Sequence, residues 1–146
     1  ALIQRVDSAS VLLPDGEERA IGAGLLILLG VGQGDTEETG KRLAEKILNL
    51  RIFSNAAGKF DHSLLDLKGS ALIISQFTLY ADPKGGRRPD FTGAAAPDLA
   101  RELYAKFAQL VAAAGLTVKT GEFAAHMKVA SVNNGPVTIW LDTNTF

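Results

Sequence analysis

Three polar side chains interrupt an apolar stretch of the chain, in the segment Ser75-Gln76-Phe77-Thr78-Leu79. Burying a hydroxyl or an amide group without a hydrogen-bond partner costs about 1–3 kcal/mol. The side chains of Ser75, Gln76 and Thr78 must therefore bond one another or face a cavity that holds a ligand. A threonine hydroxyl acts as a nucleophile only when a base activates it, and the sequence offers no base close to Thr78.

The segment Asn133-Asn134-Gly135-Pro136-Val137-Thr138 carries the second unusual pattern. An Asn-Gly pair between two strands is ordinarily a two-residue hairpin turn. Here Pro136 follows at once and removes a backbone donor where the next strand should begin. A Gly-Pro bond also admits the cis form, which occurs essentially only before proline. We therefore expect a specialised turn at this position.

Both segments must be positioned by a sheet, because most apolar runs of the chain have the length of strands. Strands are predicted at Ala1–Val6, Ser10–Leu13, Gly24–Val31, Ser70–Tyr80, Leu116–Lys119, Phe123–Val132 and Val137–Leu141. Gly24–Val31 is apolar throughout, which is typical of a strand buried on both faces. Between the strands, a hairpin is predicted to turn at Asn55–Gly58, and Asp82–Gly93 is predicted to be a long loop.

Two helices are predicted to cover the sheet. The first begins at Asp35 or Thr36, with Glu38 at capping-box spacing from Asp35. The second begins at Pro97 and is ended by Gly115. Their apolar faces are predicted to consist of Leu43, Ile47 and Leu50 in the first helix and Leu99, Leu103, Phe107 and Leu110 in the second. The element order predicts one α+β domain over residues 1–146, with a strongly curved antiparallel or mixed β-sheet, or a barrel-like core, under two covering helices.

Composition and charge exclude several classes of protein. The chain has 146 residues and no cysteine, which excludes a disulfide scaffold, a thiolate metal site and a cysteine nucleophile. Its 15 Lys and Arg residues balance 16 Asp and Glu residues, whereas non-specific nucleic-acid binders carry excess positive charge. Arg5 and Asp7 interrupt the first apolar stretch, and the run Ala20–Val31 is too short to span a membrane. We expect a soluble, cytoplasmic protein that has no cofactor and binds neither DNA nor a membrane.

Two apparent nucleotide-binding motifs fail. The segment Gly30–Asp35 follows a strand, but Asp35 stands where the dinucleotide-binding pattern requires its third glycine. The segment Gly34–Lys41 has five residues between its glycines instead of the four of a P-loop, and Arg42 replaces the Ser or Thr that holds magnesium. Both segments are more simply a connection from a strand to a helix.

The two histidines, His62 and His126, lie far apart in the sequence and have no ligand partners at a recognisable spacing. No metal site is predicted. A triad of Ser75, His126 and Asp82 is disfavoured as well, because no G-x-S-x-G elbow surrounds Ser75. We interpret both histidines as surface or structural residues.

The two unusual segments together resemble the signatures of the D-aminoacyl-tRNA deacylases, as SQFTL at 75–79 and N-x-G-P-V-T at 133–138, in this order. Either motif alone is weakly specific, but the resemblance extends over the whole chain. The matching flanks are Ile3-Gln4-Arg5-Val6, Gly22–Gly32, Arg51-Ile52-Phe53-Ser54, Arg88-Pro89 and Gly121–Met127. The resemblance implies hydrolysis of the ester between a D-amino acid and the terminal ribose of tRNA. It also implies activity on glycyl-tRNA, including glycine mischarged on tRNA-Ala.

The resemblance further implies a homodimer with its active sites at the subunit interface. Gly135 and Pro136 would form a Gly-cisPro element whose carbonyl groups enter the partner's pocket and occupy the space of an L side chain. Such a gate is specificity by clash, and Arg5 would hold it in place. The residues that the resemblance places in the pocket are Ser75, Gln76, Phe77 and Thr78, with Phe123 and Met127 at its adenine end.

An aminoacyl ester is already activated, so its hydrolysis needs only an oriented water molecule and an oxyanion site. The backbone N–H groups of Phe77 and Thr78 are the candidates for that oxyanion site. Two mechanisms remain open, with Thr78 as the nucleophile or with catalysis assisted by the 2′-OH of the substrate ribose. Because no base lies near Thr78 in the sequence, we favour the second mechanism, in which Thr78 mainly positions the substrate.

The basic run Lys84-Gly85-Gly86-Arg87-Arg88 is either a solvated loop or, beside a tRNA acceptor end, a clamp for phosphates through Lys84, Arg87 and Arg88. Two rival functions also stay open. One is a deacylase that acts mainly on glycyl-tRNA or another small aminoacyl ester. The other is a non-catalytic, dimeric tRNA-binding module.

Overall fold

The apolar runs of the chain form strands in the computed structural model, which describes residues 1–146. In chain order, the elements are β1 (Leu2–Leu12), β2 (Glu18–Ile21), β3 (Gly24–Leu29), α1 (Glu37–Asn49), β4 (Phe53–Ser54), β5 (Phe60–His62), α2 (Leu64–Leu67), β6 (Ser70–Ser75), α3 (Pro97–Ala113), β7 (Thr117–Thr120) and β8 (Lys128–Trp140). A 3₁₀ turn, Phe77–Tyr80, follows β6. None of the helices combines the length and the apolar composition that a membrane crossing requires.

The long strand β1 organises a mixed sheet. Its first half pairs antiparallel with β3 and its second half with β2, while β8 pairs along its opposite edge. Strands β3, β6 and β7 continue the sheet in parallel. Arg19 of β2 reaches across to β7, where its Nη1 donates a 2.9 Å hydrogen bond to the carbonyl oxygen of Thr120. The sheet therefore curves until its two ends nearly meet as a barrel.

The central strands β3 and β6 are buried on both faces, which explains the apolar runs Gly24–Leu29 and 71–74. Successive side chains of a strand point to opposite faces, and the two faces belong to different clusters. Ile27 and Ile73 pack against α1 and α3 in a cluster of 18 buried residues. Leu26 and Leu72 pack with Val11 in a second cluster of 8 buried residues, inside the curved sheet.

The predicted fold class is confirmed, because a barrel-like mixed sheet is covered by two long helices. The structure adds the short helix α2 and the strand β2, neither of which was predicted. The two strands predicted at Ala1–Val6 and Ser10–Leu13 are one strand, β1. Register shifts between Gln4 and Val6 and between Val6 and Ser8 let this strand bend without ending.

The strand predicted over Ser70–Tyr80 ends at Ser75. Its neighbour β3 ends at Leu29, and the last ladder bond runs from the Gln76 N–H to the Leu29 carbonyl at 2.8 Å. Beyond that point the backbone has no strand partner and bonds to itself in the 3₁₀ turn.

The strands predicted at Phe123–Val132 and Val137–Leu141 were also wrong in their bounds. They form one strand, β8, which starts at Lys128 and contains the predicted turn as an internal bulge. The segment Gly121–Met127 lies outside any strand because it folds back on itself through a contact with Met127.

Details of both long helices also differ from prediction. Helix α1 follows the N-cap Thr36, whose capping-box partner is Thr39 rather than Glu38. In α3, the exposed residues include Leu99 and Leu110, so the predicted apolar face was wrong. The face buried against the sheet is rotated by one position and contains Ala100, Tyr104, Phe107, Ala108 and Val111. Small alanines on that face allow a close approach of the helix to the sheet.

Candidate functional site

A cleft of about 570 Å³ opens at the carboxyl end of β6. Its wall comes from the end of β6 and the 3₁₀ turn, from the segment that leads into α3, and from the segment before β8. The lining residues are Val31, Ile74, Ser75, Gln76, Phe77, Phe91, Ala94, Ala95, Pro97, Ala100, Phe123, Ala124, Ala125, His126, Met127 and Val129. No aspartate or glutamate is among them, so the cleft is suited to an uncharged or anionic ligand rather than a cation.

The polar residues at the end of β6 partly satisfy one another and partly face this cleft. The Gln76 side-chain amide donates a hydrogen bond to Thr78 Oγ1, while Ser75 and Gln76 line the cleft. The Thr78 side chain is exposed beside the cleft and is not among its lining residues. No histidine or carboxylate hydrogen-bonds to its hydroxyl, so no base is in place to activate it.

Two backbone N–H groups lie at the start of the 3₁₀ turn. The first hydrogen bond of the turn is donated by the N–H of Leu79 to the carbonyl oxygen of Gln76, at 3.2 Å. The amides of Phe77 and Thr78 precede that bond, where helical N–H groups have no acceptor within the helix. They are therefore positioned to donate to an external oxygen.

Gly30 and Gly32, which imitate a nucleotide-binding motif in the sequence, pack against Tyr80 of the 3₁₀ turn. A Cβ atom on Gly32 would lie 2.4 Å from Tyr80 Oη, and one on Gly30 would lie 3.1 Å from the same ring. These glycines make room for Tyr80, whose pKa is raised by burial. Their role is packing behind the cleft.

The aromatic side of the cleft includes a residue that sequence reasoning missed. Phe77 is 56% exposed, and its ring packs edge to face on Phe91, with centroids 4.9 Å apart. Phe91 follows the predicted basic loop in sequence. The spacing of residues along the chain does not predict this contact between the 3₁₀ turn and the loop.

The segment Gly121–Met127 closes the other end of the cleft. The Glu122 N–H donates to Met127 Sδ at 3.3 Å, and a Cβ atom on Gly121 would lie 2.7 Å from that sulfur. This fold-back brings Phe123 and Met127 into the cleft wall, and His126 with them. His126 is exposed, in agreement with its interpretation as a surface residue, and it also lines the cleft, a position that depends on the fold-back and not on any ligand spacing.

Residues Asn134–Val137 bulge out of the ladder between β1 and β8. The register runs from Gln4 opposite Thr138 directly to Val6 opposite Asn133, so the intervening residues of β8 have no partner. The bulge is braced internally, because the Val137 N–H donates to Asn133 Oδ1 at 2.8 Å. The Gly135–Pro136 peptide bond is cis. Because the bulge lies inside one continuous strand and not between two, an ordinary hairpin turn is absent here, in agreement with the expectation of a specialised turn.

Arg5 joins this bulge to the β4–β5 hairpin. Its Nε donates to the carbonyl oxygen of Asn134 at 2.7 Å. Its Nη1 donates to the carbonyl oxygen of Ile52 at 2.8 Å and to Ser54 Oγ at 3.3 Å. A further hydrogen bond, from Asn134 Nδ2 to Asp7 Oδ1 at 2.9 Å, ties the bulge to β1.

The residues selected from the sequence thus fall into three groups. Ser75, Gln76, Phe77, Phe123 and Met127 meet in the cleft, and Thr78 lies beside it. The second group is the bulge, with Gly135 and Pro136, which are exposed, and Arg5, which holds the bulge; none of the three lines the cleft of its own chain.

The third group, Lys84, Arg87 and Arg88, lies on an exposed loop. Two backbone hydrogen bonds between Asp82 and Asp90, of 2.8 and 3.0 Å, close the loop at its base. None of the ion pairs of the structure involves the three cations. No group of three or more His, Asp and Glu side chains is placed to hold a metal ion.

The chain is similar to known proteins over nearly its whole length. The family model described as D-Tyr-tRNA(Tyr) deacylase matches residues 2–142. A protein of Roseiflexus castenholzii named D-aminoacyl-tRNA deacylase is 56% identical over 146 residues, which cover 100% of this chain and 93% of the relative. A protein of the same name from Thermomicrobium roseum is 54% identical over 142 residues, which cover 97% of this chain and 92% of the relative.

Two solved structures resemble the fold. One, described as c-Myc DNA Unwinding Element Binding Protein, superposes with a TM-score of 0.89 at 39% identity, covering 97% of this chain and 96% of that one. Another, a probable eukaryotic D-amino acid tRNA deacylase, superposes with a TM-score of 0.83 at 20% identity, covering 94% of this chain and 95% of that one. On the family match and the identity to its relatives, this chain belongs to the D-Tyr-tRNA(Tyr) deacylase family.

Proposed function

We propose that this chain is a D-aminoacyl-tRNA deacylase, a hydrolase that cleaves the ester between a D-amino acid and the terminal ribose of tRNA in the cytoplasm. One observation beyond family membership carries the proposal. The amides of Phe77 and Thr78 precede the first hydrogen bond of the 3₁₀ turn, at the edge of a cleft with polar groups and no carboxylate. This arrangement suits an ester whose carbonyl oxygen becomes negatively charged during hydrolysis.

In the proposed reaction, a water oxygen attacks the ester carbonyl carbon, and the bond from that carbon to the ribose oxygen breaks. The ribose oxygen takes up a proton, so the products are free tRNA and the amino acid. The N–H groups of Phe77 and Thr78 stabilise the oxyanion. Because the Thr78 hydroxyl has only the Gln76 amide as a partner, we assign it a positioning role and assign assistance to the substrate 2′-OH.

We propose that the active unit is a homodimer in which each bulge completes the partner's cleft. Gly135 and Pro136 are exposed and outside their own cleft, which supports a role in a neighbouring copy. Strand β8 pairs only with β1, so its other edge is free for association. Val129, Val132 and Trp140 of β8 are 42%, 55% and 54% exposed, and Val129 also lines the cleft.

In this arrangement the carbonyl groups of Gly135 and Pro136 occupy the space that an L side chain needs. D-amino acids direct the side chain elsewhere, and glycine has none, so D-aminoacyl-tRNA and glycyl-tRNA are accepted. Rejection then arises from a clash with the wrong enantiomer rather than from extra attraction for the right one. Arg5 supports the gate through its hydrogen bond to Asn134.

We propose that Lys84, Arg87 and Arg88 contact phosphates of the acceptor end. Phe91, which follows the three cations in the chain, lines the cleft and packs on Phe77, so the loop lies next to the cleft. The three cations form no ion pair within the chain. Local contacts of this kind agree with the net charge of -1, since such a surface attracts RNA only where cations cluster.

The experiment that tests the proposed function measures deacylation of matched D-tyrosyl-tRNA, L-tyrosyl-tRNA and glycyl-tRNA by the purified protein. We expect rapid loss of the D-ester and the glycyl ester, with the L-ester untouched. Hydrolysis of both tyrosyl enantiomers would leave an esterase and contradict the gate. Hydrolysis of the glycyl ester alone would favour the deacylase of small aminoacyl esters. Binding of tRNA without cleavage would favour the non-catalytic module.

A further inference from the structure

An arginine that no motif singled out stacks on the cleft wall. Arg101 of α3 is exposed, and its guanidinium carbon lies 4.7 Å from the centroid of the Phe123 ring. The Tyr104 ring packs beside the same phenylalanine, with centroids 6.1 Å apart. A guanidinium at this distance from a ring is held by a cation–π interaction. Arg101 thus packs on a residue of the cleft wall.

The donors of this guanidinium are free within the chain. Arg101 takes part in none of the four ion pairs. Its neighbour Glu102 binds Lys106 at 3.0 Å instead. Asp98, one turn earlier on α3, is the other exposed carboxylate on this part of the helix, and it pairs with no cation. Arg101 therefore forms no ion pair within the chain, and its N–H groups are available to an external anion.

This charge sits at the rim of the cleft, because Pro97 and Ala100 of the same helix line it. Stacking on a ring leaves the planar edge of a guanidinium, with its N–H groups, available for a bidentate contact with a phosphate. No carboxylate lines the cleft to compete with such an anion. A nucleotide bound along Phe123 would bring a phosphate to this edge.

We propose that Arg101 binds the phosphate on the 5′ side of the terminal nucleotide of the tRNA substrate. The proposal rests on the proposed function for the identity of the ligand, but the contact itself is a property of the cleft. It adds a cation on α3 to those of the loop that carries Arg87 and Arg88. The cleft is then bordered by positive charge from two separate elements.

The test compares binding of adenosine 5′-monophosphate and adenosine to the wild-type protein and to Arg101→Gln. We expect the wild type to bind the monophosphate more tightly than the nucleoside. Arg101→Gln should weaken monophosphate binding about three- to fivefold, the scale of an exposed ion pair, and leave adenosine binding unchanged. Arg101→Lys should retain part of the preference, since it keeps the charge but loses the planar fork.

Arg42 supplies a matched control. Its guanidinium also stacks on a phenylalanine, 5.8 Å from the centroid of Phe146, but on α1 and outside the cleft. Arg42→Gln should change neither affinity. Equal affinities of the wild type for the two ligands, or an equal loss of both in Arg101→Gln, would overturn the proposal, because Arg101 would then only support the ring.

Steady-state kinetics with the full tRNA substrate test this proposal separately from the proposed function. In deacylation of D-tyrosyl-tRNA, Arg101→Gln should raise KM about three- to fivefold with little change in kcat, and Arg42→Gln should leave both unchanged. An unchanged KM in Arg101→Gln would overturn the phosphate contact while leaving the deacylase intact. Selective monophosphate binding by a protein that cleaves no ester would support the contact and overturn the proposed function.

Discussion

The Nε atom of Arg5 in β1 donates a 2.7 Å hydrogen bond to the carbonyl oxygen of Asn134, in the bulge of β8. The two residues are 129 positions apart in the chain. Through Nη1 the same guanidinium also holds the carbonyl oxygen of Ile52 and the hydroxyl of Ser54. One side chain of β1 therefore connects the bulge of β8 with the β4–β5 hairpin, and fixes a segment that the strand ladder leaves unpaired.

Replacing Arg5 by lysine tests whether this side chain holds the bulge in position. An ammonium group cannot reproduce the fixed fork of a guanidinium, so Arg5→Lys should lose at least one of the three contacts. We expect a fall of about 1 kcal/mol in the free energy of unfolding, measured by urea titration. We also expect measurable hydrolysis of L-tyrosyl-tRNA with most D-tyrosyl activity retained. A loss of stability with the chirality ratio unchanged would show that Arg5 supports the fold and not the gate.

Gly135 occupies a position where a side chain does not fit. Its φ of +144° is rarely adopted by other residues, and an added Cβ would lie 2.7 Å from Val137 Cγ2 and 3.1 Å from Arg5 Nη2. Gly135→Ala should lower the free energy of unfolding by about 1–3 kcal/mol and impair discrimination between the tyrosyl esters. Gly22→Ala is the control, because its Cβ would meet nothing within 4 Å. Equal stability of the two variants would contradict this account.

The fold class could be predicted because the information for it is local. The apolar run of β3 is visible in consecutive residues, and Pro97 and Gly115 mark the start and the end of α3 in the same way. The end of β6 could not be predicted, since the run from Ser70 stays largely apolar up to Tyr80. What stops the strand is the end of its partner at Leu29, and strand length in a sheet is a property of the pair.

The candidate site was predicted only as far as its segments have unusual sequences. The polar interruption at Ser75 and the Asn-Gly-Pro run were visible in the sequence. Phe91, Arg101 and His126 were missed, because each reaches the cleft through a non-local contact or a fold-back. Spacing along the chain carries no signal for such contacts.

The role of Thr78 is tested by removing its hydroxyl. Because no base contacts Oγ1, Thr78→Ala should reduce the rate of D-tyrosyl-tRNA deacylation by less than about tenfold. The loss of a true nucleophile costs a factor of about 10⁴ or more. Single-turnover rates would measure the effect, with Ser75→Ala as a comparison inside the adjacent cleft. Complete loss of cleavage with tRNA binding intact would instead identify Thr78 as the nucleophile.

The basic loop should make activity sensitive to salt. Each phosphate contact released on a single strand contributes about 0.7 to the slope of log K against log salt concentration. The double variant Arg87→Ala, Arg88→Ala should therefore show a shallower salt dependence of kcat/KM than the wild type. The double variant Lys41→Ala, Lys46→Ala removes the same charge from α1 and should keep the wild-type slope. Identical slopes for the wild type and the loop variant would count against the phosphate clamp.

The free energy of unfolding should fall at alkaline pH because of Tyr104, whose ring packs beside Phe123 of the cleft wall. Burial raises the pKa of Tyr104 from its ordinary value of 10.0 to about 12, and its hydroxyl donates a 2.7 Å hydrogen bond to the carbonyl oxygen of Ile73. Below pH 10 both the folded and the unfolded states keep the proton, so the contribution of Tyr104 to stability is complete. Above that pH the unfolded state ionises first, and the free energy of unfolding falls by at most about 1.4 kcal/mol per pH unit until the folded pKa is reached.

Tyr104→Phe separates this effect from the titration of other groups. Without the hydroxyl, the variant should be about 1 kcal/mol less stable than the wild type near neutral pH, because the hydrogen bond to Ile73 is lost. It has no proton to release at this position, so the difference should shrink as the pH rises above about 10 and then reverse before pH 12, because the wild type loses up to about 1.4 kcal/mol per pH unit there. Urea titrations across that range measure both curves. Parallel curves would mean that the tyrosine ionises with the same pKa in both states, and that its burial against Phe123 does not couple alkaline pH to the cleft wall.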